Sequence, residues 1–313
     1  MQIDTVLKSL AALLLASTML ACSSDDDDNR DTDKNNAGNN VNANSTTTLT
    51  GDIPEVKRLE FPKLKQGTNI IIVHKTADSY DPQGVNYCTE WDYTLQSQRW
   101  SCYQMHSGYK VTGVSRYYGN PQYPWDEDLA TDYFVKTDYF VGSGFDHGHI
   151  CPSADRLYSK TANYQTFFMT NMQPQYNKFN AGLWGVMEEQ VRKWTPTKSG
   201  DTLYVCKGTT IDGQYFENKS GTLKYIQDKQ LVPRFFYMAL LLRNELGFRA
   251  IAFWAENLNE VHTNDPLINY VISIDELEKR TGIDFFCNLP DDIEEQVEAS
   301  YVPIVWGLNG TPQ

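Results

Sequence analysis

The stretch FDHGHICPSADR, at residues 145–156, concentrates side chains that can carry out chemistry. The chain of 313 residues has only five histidines, and two of them, His147 and His149, stand two positions apart here. Near neutral pH an imidazole can accept a proton or bind a metal ion. The stretch therefore predicts a general base or a metal site, or else a polar turn, which its Asp, Gly and Pro residues also suit.

A zinc site is the weaker of the two chemical alternatives. His147, His149 and Cys151 are all acceptable zinc ligands. A tight site usually needs a second cluster of ligands, however, and the other histidines are scattered along the chain without paired spacing. The pattern thus favours a general base over zinc.

The residues after this stretch supply the other groups that hydrolysis of a phosphodiester needs. The reaction requires a base to activate water and a cation to stabilise charge on the phosphate and leaving oxygen. His149 is the natural base, and the amide oxygen of Asn180 can hold Mg²⁺, which keeps most of its waters. Glu188 can orient those waters, and Arg192, four residues later, can pair with Glu188 or with phosphate. Each residue alone also has a structural explanation, since Asn180 could cap a helix and the other two could form an exposed pair.

Together these motifs resemble the DNA/RNA non-specific endonuclease family, the sugar-non-specific nucleases that include endonuclease G. The family pattern runs Asp-Arg-Gly-His, a Pro-Ser-Ala-Asp-Arg-like run, Thr/Ser-Asn-x-x-Pro-Gln, Asn-x-Gly-x-Trp, then Glu and Arg on a helix. The chain has DHGH, PSADR, TNMQPQ, NAGLW and EEQVR in that order, within a resemblance that covers residues 69–290. It implies a ββα-metal (His-Me finger) fold, DNA and RNA as substrates, and Mg²⁺ as cofactor, with Mn²⁺ as an alternative.

The resemblance also implies roles for single residues. The general base would be His149, the metal ligand Asn180, the supporting helix residues Glu188 and Arg192, a further active-site residue Asn171, and the substrate contacts Asp146, His147 and Arg156. The chain departs from the family at His147, where the family has arginine. Histidine lacks the permanent charge that arginine offers to phosphate. We therefore expect activity to fall at alkaline pH sooner than in relatives with arginine.

Strands and helices are mixed without strict alternation, which favours an α+β fold with a central, mainly antiparallel sheet flanked by helices. Apolar runs predict strands at residues 69–75, 202–210 and 235–242. Apolar residues at spacings of three and four predict a helix over residues 181–194. A second, shorter helix is expected to end at Gly282.

The charge of the chain limits how it can bind a partner. A formal net charge of -13 excludes a protein that binds nucleic acid through bulk positive charge. Residues 146–194 are less acidic, with five Lys/Arg against four Asp/Glu, as expected of a phosphate-binding face. Two other functions stay open: a nuclease fold that binds nucleic acid without turnover, and a phosphodiesterase for small nucleotides. The resemblance also implies a homodimer.

The N-terminal residues predict export. A short apolar run ending in MLAC indicates a lipoprotein signal peptide at residues 1–22, with Cys22 as the lipidated residue. Residues 23–50 are acidic and Asn-rich without an aromatic residue, which predicts a disordered tether before an endonuclease domain at residues 51–313. We expect an outer-membrane lipoprotein of a bacterial cell envelope, at either membrane face.

Export permits disulfide bonds, and five cysteines follow Cys22. Cys88 and Cys102 flank two strand-like runs that a hairpin would bring together, so we expect a disulfide between them. The pairing of the other three stays open.

Overall fold

The computed structural model describes residues 39–134, 136–211, 215–216, 219–299 and 301–309. The expected signal peptide with Cys22 and most of the expected tether lie outside the described residues. Within the described ranges, no helix is both long enough and apolar enough to cross a membrane.

The secondary structure is dominated by strands. In chain order these are β1 (Thr47–Thr48), β2 (Gly51–Asp52), β3 (Asn69–Lys75), β4 (Val85–Asp92), β5 (Ser97–Met105), β6 (Asp146–His149), β7 (Met172–Gln175), β8 (Thr202–Thr209), β9 (Tyr215–Phe216), β10 (Lys219–Ser220), β11 (Thr222–Ile226), β12 (Gln230–Pro233), β13 (Phe235–Asn244), β14 (Gly247–Glu256) and β15 (Val271–Ile272). The α-helices are α1 (Lys160–Gln165), α2 (Gly185–Trp194), α3 (Ile274–Thr281) and α4 (Asp291–Ala299). A π-helical turn at Phe179–Trp184 leads into α2, and short 3-10 turns lie at Pro54–Lys57, Ser107–Lys110, Thr131–Tyr133, Ser153–Arg156, Met169–Asn171, Leu267–Tyr270 and Pro303–Trp306.

The centre of the fold is a seven-stranded antiparallel sheet in the order β15-β14-β13-β8-β5-β4-β3. Alternate residues of a strand point to opposite faces. In β13, Met238 and Leu240 join one hydrophobic core while Ala239 and Leu241 join the other. Both faces are buried, which explains the continuous apolar run that predicted this strand.

The two faces carry different elements. One core includes Trp184 from the π turn and Met187 from α2, whereas the other includes Leu277 from α3 and Val297 from α4. On the first face β6 and β7 form a separate antiparallel pair, and with α2 they make a ββα unit. The predicted α+β fold with an antiparallel sheet and flanking helices is confirmed.

The sequence predicted some of the helices and not others. Helix α3 ends as predicted at Gly282, whose φ of 67° is the left-handed conformation that glycine adopts readily. The helix predicted over residues 181–194 is shorter, because Gly182 has non-helical φ and ψ and the first turn is π-helical. Helices α1 and α4 were not predicted.

The folded domain begins earlier than residue 51, so the expected end of the tether is wrong. Asn44 is almost fully buried, and its Nδ2 donates to the carbonyl oxygens of Val56 at 3.2 Å and Pro62 at 3.0 Å. A polar segment can therefore be ordered here because its asparagine side chains satisfy backbone groups of the domain. The composition alone did not reveal those contacts.

The expected disulfide is not formed. Cys88 and Cys102 do lie opposite each other on β4 and β5, and Cys206 on β8 lies opposite Cys102. All five described cysteines are nevertheless free, buried thiols. Directly opposed residues have Cβ atoms about 4.5–5.5 Å apart, whereas a disulfide needs about 3.8 Å.

Candidate active site

One cavity gathers most of the residues that the motifs single out. Its volume is about 450 Å³, and residues of β6, the π turn, α2 and the loop at residues 111–125 line it. The lining includes Arg116, Tyr123, Asp146, His147, His149, Asn180 and Glu188. This mixture of charged and polar groups suits a charged substrate.

The hairpin of β6 and β7 brings both histidines of the opening motif to the cavity. The strands pair antiparallel, with His149 opposite Met172. Because alternate residues of a strand share a face, His147 and His149 point the same way. Gly148 between them lacks a side chain for a steric reason: a Cβ there would lie 2.3 Å from Cδ of Gln175.

His149 has the environment of a general base. Nε1 of Trp184 donates to the His149 carbonyl oxygen at 3.1 Å, and the ring of Phe167 meets the imidazole edge-on at 4.8 Å between centroids. Burial, followed by the charge of Arg116, lowers the pKa of His149 to about 3. Its Nε2 is buried and has no hydrogen-bond partner among the described residues. Burial therefore keeps the ring neutral near pH 7, which is the form that a general base requires, but it also lowers the basicity of the ring.

Asn180 does not cap the helix, and its side chain is hydrogen-bonded to Asp146 instead. It lies inside the π turn, whose N-cap is Lys178. Its Nδ2 donates to Oδ2 of Asp146 at 2.9 Å, and Nδ2 of Asn177 donates to the same oxygen at 3.0 Å. With its amide nitrogen engaged in this way, Asn180 retains Oδ1 as a hard oxygen ligand for a cation.

Asp146 therefore has a different role from the predicted substrate contact. Its carboxylate lines the cavity and accepts hydrogen bonds from two asparagine amides. A carboxylate repels phosphate, whereas it can fix the orientation of an amide. Asp146 positions Asn180.

Glu188 faces a buried lysine that no motif pointed to. Lys207 on β8 is fully buried, and its Nζ lies 3.9 Å from Oε1 of Glu188. The ammonium also lies 5.8 Å from the ring centroids of Tyr103 and Trp184. Burial raises the pKa of Glu188 to about 7, and Lys207 opposes that shift. Burial also lowers the pKa of Lys207. Each charge therefore helps to keep the other ionised.

The two arginines that the motifs assigned to the site bind protein groups instead. Nη1 of Arg192 donates to Oδ1 of Asp155 at 3.0 Å, and not to Glu188. Arg156 is fully buried, and its guanidinium lies 4.4 Å from the ring centroid of Tyr103. The expected substrate contact of Arg156 is therefore wrong, because a buried guanidinium cannot reach a polymer. The two arginines support the segment that follows β6.

Asn171, which was expected to be a further active-site residue, is not part of the cavity lining. It is fully buried, and its Nδ2 donates to the carbonyl oxygens of Cys151 at 2.9 Å and Thr166 at 2.7 Å. Its Oδ1 accepts the N–H of Cys151 at 2.9 Å. These bonds fix the chain two residues after His149.

His147, which replaces the family arginine, is held in a stack of rings. Its centroid lies 3.8 Å from that of Tyr123 and 4.3 Å from that of Phe140, and its Nε2 lies 3.0 Å from a carboxylate oxygen of Asp138. Burial lowers the pKa of His147, although Asp138 opposes the shift. The imidazole thus loses its charge at a lower pH than the sequence suggested.

Arg116 is the cationic residue of the cavity that the motifs missed. It is exposed, lines the cavity, and has its guanidinium 4.6 Å from the ring centroid of Phe167. The only available signal was its isolation, since no other charged residue stands between Lys110 and Asp126. A permanent charge at this place can bind a phosphate group.

The donor set of the cavity fits a hard divalent cation. Asn180 offers an amide oxygen, and the Oε1 of Glu188 is buried without a hydrogen-bond partner in the described part of the chain. Mg²⁺ and Mn²⁺ prefer oxygen ligands, and Mg²⁺ retains several waters, so few protein ligands suffice. The residues present therefore fit the cofactor that the resemblance implies.

The chain is similar to known nucleases over most of its length. The family model for DNA/RNA non-specific endonucleases matches residues 68–292. A nuclease of Nostoc sp. is 28% identical over 233 residues, which are 72% of this chain and 79% of that protein. Nuclease C1 of Cunninghamella echinulata is 32% identical over 185 residues, which are 56% of this chain and 70% of that protein.

A solved structure supports the fold. The crystal structure of an EndoG/EndoGI complex aligns with a TM-score of 0.56 at 21% identity, over 72% of this chain and 89% of the matched chain. Human mitochondrial endonuclease G is 27% identical over 151 residues, 47% of this chain and 50% of that protein. Because the family model spans most of the described domain, the chain belongs to the DNA/RNA non-specific endonuclease family.

Proposed function

We propose that this endonuclease hydrolyses phosphodiester bonds in both DNA and RNA, with His149 activating water and Asn180 holding Mg²⁺. The observation that carries the proposal is the placement of His149, Asn180 and Glu188 around one cavity. A base, a metal ligand and a carboxylate for metal-bound water are the groups that this hydrolysis needs.

The side chains of the site have different roles in the proposed hydrolysis. His149 takes the proton of the attacking water, while the bond from Trp184 holds the backbone beneath the ring. When bound, Mg²⁺ would stabilise negative charge on the phosphate and on the leaving oxygen. Glu188 accepts hydrogen bonds from water on its side of the cavity, and Lys207 favours its ionised form.

We expect both DNA and RNA to be substrates because the cavity offers contacts to phosphate rather than to bases. Arg116 offers its charge to phosphate groups, which DNA and RNA share. Contacts with phosphate position a nucleic acid but carry no sequence information. Cleavage without strong sequence preference is therefore the expected outcome.

We also propose that the protein is exported and lipid-anchored in a bacterial outer membrane through Cys22. The apolar run ending in MLAC and the acidic, Asn-rich segment after it support this proposal. Incorporation of labelled palmitate that Cys22→Ala abolishes, together with sedimentation in the outer-membrane fraction, is the expected result. The homodimer implied by the resemblance stays a prediction, which the molar mass in solution can test.

The experiment that tests the nuclease uses the chain from Ser23 onwards with supercoiled plasmid and with an RNA transcript, in Mg²⁺ or in EDTA. We expect Mg²⁺-dependent cutting of both polymers. His149→Ala should lower the rate by about 10²–10⁴-fold, the usual contribution of a general base. Asn180→Ala should also abolish cutting at ordinary Mg²⁺ concentrations. Lys193→Met, an exposed change on α2, serves as the control.

Other outcomes identify the alternatives. Polymers that stay intact in every metal while still binding would identify a nuclease fold without turnover, an alternative that His147 favours because the family arginine is absent. Faster hydrolysis of small diesters than of plasmid would identify a phosphodiesterase for small nucleotides.

A further inference from the structure

Residues 39–50, which we call the N-terminal segment, meet α3 and α4 on the face of the sheet opposite the ββα unit. Five carboxylates lie together at this place. They are Asp275 and Glu278 of α3, Asp284 of the following loop, and Glu294 and Glu298 of α4. We call this group the carboxylate cluster. None of its members takes part in the proposed hydrolysis.

The carboxylate cluster is compact. Carboxylate oxygens of Asp284, Glu294 and Glu298 lie within 4.8 Å of one another, and so do those of Asp275, Glu278 and Glu298. Glu298 belongs to both groups and is the centre of the cluster. Like charges at such distances repel strongly in a partly buried environment. Without a cation the cluster relieves this repulsion by taking up protons, since burial, followed by the charges of Glu278 and Glu294, raises the pKa of Glu298 to about 10. A bound cation would replace those protons.

A second observation points to a missing ligand. Glu298 is only 7% exposed, and its Oε1 is buried without a hydrogen-bond partner among the residues that the structure describes. A buried carboxylate oxygen without a partner is strongly unfavourable, and binding of a metal is one of the few ways to satisfy it. Its carboxylate lies among the oxygens of the other members, so a cation bound there would contact several of them.

The N-terminal segment adds an amide to the carboxylate cluster. Nδ2 of Asn42 donates to Oδ2 of Asp284 at 3.1 Å and to Oε1 of Glu294 at 3.0 Å. The Oδ1 of Asn42 is buried and unpaired within the described ranges. A half-turn of this amide would bring Oδ1 to the carboxylates as a further oxygen ligand for a cation.

Lys63, the lysine that acts on Asp284, is engaged by backbone groups. Nζ of Lys63 donates to the carbonyl oxygens of Asn42 and Ala43. Among the members of the carboxylate cluster, Lys63 favours ionisation of Asp284. By contrast, the charges that act most strongly on Glu298 are those of other carboxylates, Glu278 and Glu294 first. The strongest electrostatic influences on Glu298 are therefore negative charges.

We propose that the carboxylate cluster binds one Ca²⁺ ion, which ties the N-terminal segment to α3 and α4. Ca²⁺ accepts about six to eight oxygen ligands in flexible geometry, whereas Mg²⁺ demands an octahedron and keeps several waters. Carboxylates from two helices and a loop, with one amide, suit the larger ion. The site stabilises the domain and is distinct from the catalytic cavity.

The test measures thermal unfolding and calcium binding of the chain from Ser23 onwards after removal of metals with EDTA. In about 1 mM Ca²⁺ we expect the Tm to rise by about 5 °C and one ion to bind per chain. Glu298→Gln keeps the size of the side chain and removes its charge. It should unfold at the same or a higher temperature than the unchanged protein without metal, and should lose the response to Ca²⁺. Glu295→Gln, an exposed change on the same helix, should keep that response.

Asn180→Ala serves as the control for metal binding in the catalytic cavity. Asn180→Ala should retain both the calcium-induced rise in Tm and the bound ion, because Asn180 lies outside the carboxylate cluster. An equal rise in Glu298→Gln, or the absence of any rise and of any bound calcium in the unchanged protein, would overturn the proposal. A rise in Mg²⁺ as large as that in Ca²⁺ would overturn the assignment to calcium.

Discussion

At the scale of single residues, the catalytic cavity depends on charges that are buried against each other. Glu188 has to be ionised to accept hydrogen bonds from water, yet burial raises its pKa to about 7. Lys207, whose Nζ lies 3.9 Å from Oε1 of Glu188, opposes that rise in pKa most strongly. Lys207 is fully buried in β8, so we expect its effect on catalysis to pass through Glu188.

Replacement of Lys207 by methionine tests this dependence. Because Lys207 lowers the pKa of Glu188, its loss should raise that pKa further and move the acid limb of the profile of kcat/KM to higher pH. A shift of about one to three pH units is expected for a pair at this distance. Lys193→Met, which removes only an exposed lysine paired with Glu189, should leave the limb in place. An unchanged acid limb in Lys207→Met would mean that Glu188 does not limit the rate.

His147→Arg tests the departure from the family motif. Since burial lowers the pKa of His147, the imidazole carries no charge at about pH 8, and an arginine would add one to the phosphate-binding side of the cavity. We expect kcat/KM on plasmid to rise at about pH 8 and to depend more steeply on salt, as an added phosphate contact requires. Asp138→Asn, which keeps His147 neutral, should not reproduce the gain. Lower activity of the arginine variant at all pH values would show that the stack with Tyr123 and Phe140 matters more than charge.

At the scale of secondary structure elements, the position of His149 depends on bonds behind the β6–β7 hairpin. Asn171→Ala removes the amide that holds Cys151 and Thr166. We expect the free energy of unfolding to fall by about 2–4 kcal/mol, because buried backbone groups lose their partners. We also expect kcat to fall while Mg²⁺ affinity changes little. Asn177→Ala, at an exposed asparagine, should cost far less stability, and an equal loss in both variants would contradict the positioning role.

Elements with strong local patterns were predictable from the sequence, and those that depend on distant contacts were not. Strand β13 was predictable because both of its faces are buried, which gives a continuous apolar run. Helix α3 was predictable because Gly282 ends it. In the site, local motifs identified His149, Asn180 and Glu188, which share the cavity. They could not reveal that Lys207 meets Glu188, because that contact depends on how β8 passes beneath α2. For the same reason the sequence could not show that Arg156 is buried beside Tyr103.

At the scale of the whole molecule, the sheet separates the catalytic cavity from the region where the N-terminal residues pack. The ββα unit on one face carries the catalytic cavity, and α3 and α4 on the other face meet the N-terminal segment. Asn40 donates to the carbonyl of Leu289, and the N–H of Asn44 donates to Oδ1 of Asn288. Residues 39–50 thus hold together parts of the chain that are about 250 positions apart. We therefore expect changes in residues 39–50 to alter stability and to leave catalysis nearly unchanged.

Truncation tests this separation. A chain that begins at Gly38 should unfold at the same temperature as one that begins at Ser23. A chain that begins at Gly51 loses the side chain of Asn44, which pairs with the carbonyl oxygens of Val56 and Pro62 and accepts the N–H of Leu64. We expect its Tm to be lower by about 10 °C in calcium-free buffer, since several buried backbone groups lose partners.

Asn44→Ala in the longer chain is the matched control and should reproduce a large part of that decrease. Both variants should cut plasmid at nearly the unchanged rate well below their Tm, because the catalytic cavity lies on the other face of the sheet. Equal unfolding temperatures for the chains that begin at Gly38 and Gly51 would restore the domain boundary that composition suggested. A large loss of activity at low temperature would instead show that the two faces of the sheet are coupled.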